Sequence, residues 1–173
     1  MSLVFQYGSN ASSAQINSSC RLGGAAKLVG LVYTKEKFDF DFTHWSKCNN
    51  CATADITPGG ERNIYGVLYD IPDERIFRHM GKGRITLDEI EGECTSYCRI
   101  KIQVIQISKQ DNLRDALTYV VKNPQKGLKT ETSYVRHIIS GLCEHGAPEE
   151  YIQYIKDRAA ESNPPIAHEL AGL

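Results

Sequence analysis

The segment Tyr7-Gly8-Ser9-Asn10 is the first place in the chain where residue types suggest chemistry. It follows a short apolar run, and a glycine turn at the end of a strand leaves backbone N–H groups directed outward, where they bind a carboxylate or an oxyanion. The alternative is an ordinary strand-to-helix turn in which Ser9 or Asn10 caps a short helix. Local features favour neither role strongly enough to exclude the other.

Glu91 is the second candidate. Leu87 and Ile90 are three residues apart and are predicted to face inward, so the chain enters the core around Glu91 and turns at Gly92. A carboxylate drawn into apolar surroundings has a raised pKa, which suits proton transfer near neutral pH. The alternative is that the glutamates of residues 89–93 form a solvated acidic edge.

Strands and short helices must position these two segments. Period-two alternation and turn residues predict strands over residues 4–7, 28–33, 38–42, 64–70, 99–107 and 116–121. The apolar alternation shifts phase after residue 104, which indicates a β-bulge. No strand is predicted in the remainder of residues 35–53, which we interpret as a loop.

Helical signals lie between and after these strands. A helix opening at Pro72 and ending at Gly81 is predicted to bury Ile76, Phe77 and Met80.

A single helical turn begins at Thr86 with a capping box and ends at Gly92. Tyr134, Ile138 and Leu142 recur at helical spacing, and a last helix begins at Pro148. We expect one domain over residues 1–160 and a loose tail over 161–173.

The two candidate segments together resemble the gamma-glutamyl cyclotransferase family. The Tyr-Gly-Ser-Asn turn after the first strand is similar to its opening signature, and Leu87-Asp88-x-x-Glu91-Gly92, followed by Tyr97, is similar to its second. Weaker similarities follow in the same order: Ala54-Asp55-Ile56-x-Pro58 leading into Tyr65-Gly66-Val67, then Ala116-x-x-Tyr119, and then Tyr134 followed by Gly141 and by Gly146-Ala147-Pro148-x-x-Tyr151. The resemblance spans roughly residues 4–156.

This resemblance implies an α+β fold built on a small, mostly antiparallel β-barrel with flanking short helices. It implies that Glu91 is the catalytic acid and base. It also implies that the turn Tyr7-Gly8-Ser9-Asn10 binds the substrate through the backbone N–H groups of Gly8, Ser9 and Asn10. A strand tyrosine near the substrate corresponds to Tyr119, for which core packing is the alternative.

The implied reaction is attack of a γ-glutamyl amine on its own γ-carbonyl, which releases 5-oxoproline and a free amine. No cofactor and no metal are expected, and the partner is a small-molecule γ-glutamyl substrate. Substrate choice is expected to lie in residues 35–53, which contain His44 and Trp45. The alternatives are another γ-glutamyl acyl transfer and a non-catalytic binding module on the same barrel.

Composition limits the remaining classes of partner. Lys and Arg total 20 against 21 for Asp and Glu, so no global field attracts nucleic acid or a membrane surface. Without a basic, apolar leader or a long apolar run, we expect a cytoplasmic protein that is a monomer or a homodimer. The six cysteines are interpreted as thiols, with a zinc site at Cys48, Cys51, Cys94 and Cys98 as the alternative.

Overall fold

The strand-rich part of the sequence forms a five-stranded barrel and a separate hairpin. The computed structural model describes residues 1–107 and 112–173. Its strands are β1 (Ser2–Gln6), β2 (Lys27–Thr34), β3 (Phe38–Ser46), β4 (Cys51–Pro58), β5 (Tyr65–Ile71), β6 (Tyr97–Gln106) and β7 (Leu113–Val121). Its α-helices are α1 (Ser13–Ile16), α2 (Asp73–Ile76), α3 (Leu87–Glu91), α4 (Thr132–Glu144), α5 (Glu149–Ser162) and α6 (Ala167–Ala171).

The barrel has the strand order β1-β5-β2-β6-β7 and closes on itself. Four of its junctions are antiparallel, and the closing junction, where Val4 lies opposite Leu117, is parallel. Closure removes the free strand edges that an open sheet would expose. The predicted α+β fold with a mostly antiparallel barrel and short flanking helices is therefore confirmed.

The hairpin of β3 and β4 corrects the expectation of a loop over residues 35–53. The two strands pair from Phe38 opposite Pro58 to Ser46 opposite Cys51, and only residues 47–50 form the turn. The first six residues of β4 are all buried. The strand alternates Ala and Ile with Thr and Asp, and its polar side chains are buried because they are hydrogen-bonded, as Asp55 is to Thr43 Oγ1 and to the Val121 N–H. Alanine and aspartate are uncommon in strands, which is why sequence reasoning missed this one.

Two smaller expectations were also wrong. The helix predicted from Pro72 to Gly81 is interrupted at Phe77, which has extended backbone dihedrals between α2 and a 3-10 turn. Met80 is 39% exposed because that turn lies on the surface.

The bulge predicted after residue 104 is absent, since β6 and β7 pair in continuous register over the described part of both strands. Ile107, which follows the expected bulge, does not have to face the core, since it is 38% exposed.

The C-terminal segment differs from the loose tail expected over residues 161–173. It contains a 3-10 turn and α6, and it buries Ile166 and Leu170. Asn163 Nδ2 donates a hydrogen bond to the Thr130 carbonyl at 2.8 Å, which ties the segment to the chain before α4. Apolar contacts and this buried hydrogen bond offset the entropy of ordering the segment. No α-helix of the described residues has the length and apolar character needed to cross a membrane.

Candidate active site

The turn after β1 leaves several backbone donors without a helical acceptor. Residues Ser9–Ala11 form one 3-10 turn, in which the Ala11 N–H donates to the Gly8 carbonyl at 2.9 Å. The Gly8, Ser9 and Asn10 N–H groups precede this first closed turn, so the helix itself supplies them with no acceptor. Ser12, rather than Ser9 or Asn10, caps the following helix α1, which corrects the capping alternative considered above.

Close packing holds this turn in place. A Cβ at Gly141 of α4 would lie 2.4 Å from the Ala11 carbonyl carbon, so only glycine allows the helix and the turn to approach this closely. A Cβ at Gly8 would lie 3.4 Å from Tyr134 Oη, and the space above Gly8 is correspondingly narrow. Helix α4 therefore contacts the turn at two places, through Gly141 at Ala11 and through Tyr134 at Gly8.

Helix α3 is held by two independent devices. At its N-terminus, the Thr86 hydroxyl accepts from the Glu89 N–H, and the Glu89 carboxylate accepts from the Thr86 N–H at 2.8 Å, which completes the predicted capping box. At its C-terminus, Gly92 adopts a left-handed φ of 63°. Glu91 is the last residue of this helix, so both devices restrict where its carboxylate can point.

Asp88 anchors the same helix to the barrel. This 3% exposed carboxylate accepts a hydrogen bond from Tyr119 Oη at 2.7 Å and one from the Arg78 N–H at 3.0 Å. It also forms an ion pair with Arg99. A buried charge with this many partners is stabilised in one position, and it fixes the turn of helix that carries Glu91.

The Glu91 carboxylate meets the first candidate segment directly. Asn10 Nδ2 donates to Glu91 Oε1 at 2.7 Å, and Arg21 donates to Asn10 Oδ1 at 2.9 Å. Because a guanidinium can only donate, it orients the amide so that the NH₂ group faces Glu91. Burial raises the pKa of the Glu91 carboxyl above its ordinary value, although the Asn10 hydrogen bond and the Arg21 charge act in the opposite direction.

Four tyrosines surround this carboxylate. Tyr7 Oη donates to the Tyr119 carbonyl at 2.6 Å, Tyr97 Oη donates to the Ala54 carbonyl at 3.1 Å, and Tyr134 Oη accepts from the Ala54 N–H at 3.1 Å. Tyr119 donates to Asp88, as described above. Burial raises the pKa of every one of these phenols, so all four are neutral hydrogen-bonding groups at physiological pH.

Two connected spaces open around these groups. The inner cavity, of about 30 Å³, is bounded by Gln6, Ala54, Thr118 and the tyrosines, and the outer cleft, of about 400 Å³, is bounded by Arg21 and residues 44–49 of the hairpin. Five residues line both spaces and mark their junction: Ser9, Asn10, Glu91, Tyr97 and Tyr134. A ligand can therefore lie across the junction, with one end enclosed and the other near solvent.

All six residues that sequence reasoning proposed for the site line the inner cavity: Tyr7, Gly8, Ser9, Asn10, Glu91 and Tyr119. Sequence reasoning assigned no site role to Gln6, Arg21, Tyr97 or Tyr134, which also border the two spaces. Tyr97 and Tyr134 belong to the motif similarities and could have been proposed on that ground. Arg21 lies in an irregular segment eleven residues after Asn10, and no spacing rule connects the two.

The cysteines are not part of any cluster of metal-binding side chains in the described part of the chain. Across residues 1–107 and 112–173, no three side chains of His, Cys, Asp or Glu converge as a metal site would require. Cys51 is buried, whereas Cys48 and Cys94 are exposed. Burial raises the pKa of the Cys51 thiol, which disfavours the thiolate that zinc binds.

Comparison with known proteins agrees with this geometry. A solved structure named gamma-glutamyl cyclotransferase matches with a TM-score of 0.75 and 21% sequence identity, covering 90% of this chain and 86% of its own. A human protein described as uncharacterized matches with a TM-score of 0.75, 22% identity and the same coverage. YkqA from Bacillus subtilis matches with a TM-score of 0.71 and 21% identity, covering 91% of this chain and 53% of YkqA. At these identities the similarity establishes the fold.

The barrel thus has the fold of the structure named gamma-glutamyl cyclotransferase. The family model described as AIG2-like matches residues 63–155, more than half of the chain, and the protein belongs to this AIG2-like, gamma-glutamyl cyclotransferase-like family. A search of curated proteins finds no significant match.

Proposed function

We propose that this protein is a γ-glutamyl cyclotransferase that releases 5-oxoproline and an amine from a γ-glutamyl amide or peptide. The observation that carries the proposal is the position of Glu91. Its carboxylate lies at the junction of the two cavities, is hydrogen-bonded to Asn10 of the turn, and has a pKa raised by burial. A carboxyl group with a raised pKa at a ligand-sized opening suits reversible proton transfer.

The proposed binding mode places the glutamyl unit across the junction of the two spaces, with its end group in the inner cavity and the leaving amine in the outer cleft. The γ-carbonyl oxygen lies against the N–H groups of Gly8, Ser9 and Asn10, which precede the first closed helical turn. The α-ammonium faces Glu91. The inner cavity, with a volume of about 30 Å³, has room for one small polar end group, whereas the outer cleft of about 400 Å³ can hold the leaving amine.

The chemistry then proceeds by proton transfer and acyl transfer. Glu91 accepts one proton from the α-ammonium, and the freed amine attacks the γ-carbonyl carbon to form a C–N bond. The developing oxyanion is stabilised by the N–H groups of the turn. The bond to the leaving nitrogen breaks as Glu91 returns its proton to that nitrogen. The ring nitrogen still carries two protons, and Glu91 passes one of them to the departing amine, so the products are 5-oxoproline and an ammonium ion and Glu91 is ionised again.

Two features of this reaction lower its barrier without further groups. The nucleophile and the carbonyl belong to the same molecule, so holding the glutamyl chain in a folded conformation brings them together. The acid and the base are the same carboxyl group, which needs only to reach two nitrogen atoms attached to one reacting centre. The atoms balance without a redox partner or an external nucleophile.

A panel of γ-glutamyl compounds tests the proposal. The purified protein is incubated with γ-glutamyl amino acids, glutathione, γ-glutamyl-ε-lysine and γ-glutamyl polyamines, and 5-oxoproline is measured by mass spectrometry. We expect release of 5-oxoproline with an equal amount of free amine from at least one class. Saturable binding of these compounds without any product would instead support the binding-module alternative.

A further inference from the structure

Gln6 carries a buried donor without a partner. The residue is 6% exposed, borders the inner cavity, and its Nε2 has no hydrogen-bond partner within residues 1–107 and 112–173. Burying a polar amide without a partner is unfavourable, so such groups in folded proteins usually bind a ligand or water. The inner cavity is the space in which a partner for this amide would lie.

The neighbouring polar groups are already engaged. Thr118 Oγ1 donates to the Phe5 carbonyl at 3.0 Å, Tyr7 Oη donates to the Tyr119 carbonyl, and Tyr119 Oη donates to Asp88. Each of these donors satisfies an acceptor of the protein itself. The Gln6 amide differs from them because its Nε2 has no such acceptor among the described residues.

The position of Gln6 also distinguishes the two ends of the site. Gln6 borders the inner cavity and is not part of the outer cleft, whereas Glu91 borders both. A glutamyl unit whose ammonium faces Glu91 and whose leaving amine extends into the outer cleft has one polar group left. That group is its α-carboxylate, and the enclosed end is where it must lie.

We propose that Gln6 binds the α-carboxylate of the glutamyl unit through its amide NH₂ group and so selects substrates that carry this carboxylate. The inference rests on the proposed function, because it assumes that the end group of a glutamyl unit enters the inner cavity. A hydrogen bond from an amide to a carboxylate is charge-assisted and stronger than one between neutral groups. Gln6 is thereby a specificity residue rather than a proton-transfer group.

Paired substrates test this assignment. One substrate is a γ-glutamyl amide, and the other is the corresponding 4-aminobutanoyl amide, which lacks only the α-carboxylate and cyclises to 2-pyrrolidinone. We expect Gln6→Leu to lower kcat/KM for the γ-glutamyl amide by roughly ten- to a hundredfold. The same substitution should change kcat/KM for the 4-aminobutanoyl amide by less than about threefold, within the scatter of measurements on independent sites.

Equilibrium binding gives a second readout that does not depend on turnover. Calorimetry with 5-oxoproline and with 2-pyrrolidinone compares ligands that again differ by the carboxylate. We expect wild type to prefer 5-oxoproline and Gln6→Leu to lose most of that preference. Gln153→Leu, which removes an exposed amide of α5 that donates to Asp157 at 2.8 Å, is the matched control and should behave as wild type.

The outcomes separate this inference from the function on which it rests. Equal losses for both substrates, or no loss for either, would overturn the role of Gln6 while leaving the cyclotransferase proposal intact. A wild-type protein that neither cyclises nor binds any of these compounds would overturn both.

Discussion

The inner cavity and the outer cleft are built in different ways. The tyrosines and buried residues of the inner cavity are hydrogen-bonded to distant parts of the chain, as in the bond of Tyr7 to Tyr119 and that of Tyr119 to Asp88. The outer cleft is bordered by the tip of one hairpin, where Trp45 is 43% exposed and Lys47 is exposed. The first arrangement is rigid and suits chemistry, whereas the second can change residue by residue without disturbing the barrel.

The largest effect should come from the inner cavity, at Glu91. Glu91→Gln keeps the volume and can still accept the Asn10 hydrogen bond, but the amide cannot transfer a proton. We expect kcat to fall by roughly a hundred- to ten-thousandfold, as for other positioned acids and bases. Because burial raises the pKa of this carboxyl, removing its charge should leave the melting temperature at neutral pH unchanged or higher.

Two neighbouring glutamates provide matched controls for that result. Glu89 belongs to the capping box, which glutamine also completes. Glu93 accepts a hydrogen bond from the Cys94 thiol and lines neither cavity. Turnover near that of wild type is expected for Glu89→Gln and Glu93→Gln. An inactive Glu93→Gln, or an active Glu91→Gln, would show that the catalytic carboxylate is misassigned.

Gly8 should give the next largest effect. The branched side chain in Gly8→Val would occupy the space that lies within 3.4 Å of Tyr134 Oη and 3.7 Å of Ala54 Cβ. A displaced substrate should lose about a hundredfold in kcat/KM. Ser9→Ala removes only a hydroxyl, and its loss should stay below about tenfold. Similar losses in both variants, measured by steady-state kinetics, would point to a direct role of the Ser9 hydroxyl.

The pH dependence should respond to Arg21. Glu91 must be ionised to accept the ammonium proton, so kcat/KM falls on the acid side of the Glu91 pKa. The Arg21 charge lowers that pKa, and Arg21→Met should therefore move the acid limb of the pH–rate profile to higher pH. Arg21→Lys keeps the charge and should move the limb less. An acid limb that is identical in wild type and Arg21→Met would assign it to another group.

The smallest effect is expected in the outer cleft. Trp45→Ala should raise KM about two- to tenfold for substrates with bulky leaving groups, since an aromatic contact contributes ~0.5–1.5 kcal/mol. Its kcat should change little, because Trp45 does not border the inner cavity. Leu28→Ala, at a residue 52% exposed and outside both spaces, is the control. A loss confined to kcat would contradict the assignment of chemistry to the inner cavity and of leaving-group binding to the outer cleft.

Much of the fold could be predicted because its signals are local. Alternation gave the barrel strands, and the Thr86 capping box together with Gly92 gave α3. Strand β4 was not found in this way, since its alternation is made of Ala, Thr, Asp and Ile, and Ala and Asp are uncommon in strands. The ordered C-terminal segment depends on tertiary contacts of Ile166 and Leu170, which its own sequence does not reveal.

The site shows the same division between local and long-range information. The turn at Gly8 and the helix end at Glu91 each have a sequence signature, and the family resemblance joined them. The contact of Asn10 with Glu91 spans 81 positions, and Arg21 acts on that contact from an irregular segment. Gln6 shares its strand with buried apolar residues, and only the closed barrel shows that this residue borders a cavity.

Reaction in H₂¹⁸O tests the central claim most directly, namely that the substrate's own amine attacks the γ-carbonyl beside Glu91. The wild-type protein is incubated with its best γ-glutamyl substrate in labelled water, and the masses of the products are measured by mass spectrometry. Intramolecular attack predicts 5-oxoproline without ¹⁸O, equal in amount to the released amine, and its near-absence with Glu91→Gln. Glutamate carrying one ¹⁸O atom in its γ-carboxyl group would show that water is the nucleophile and would contradict the account.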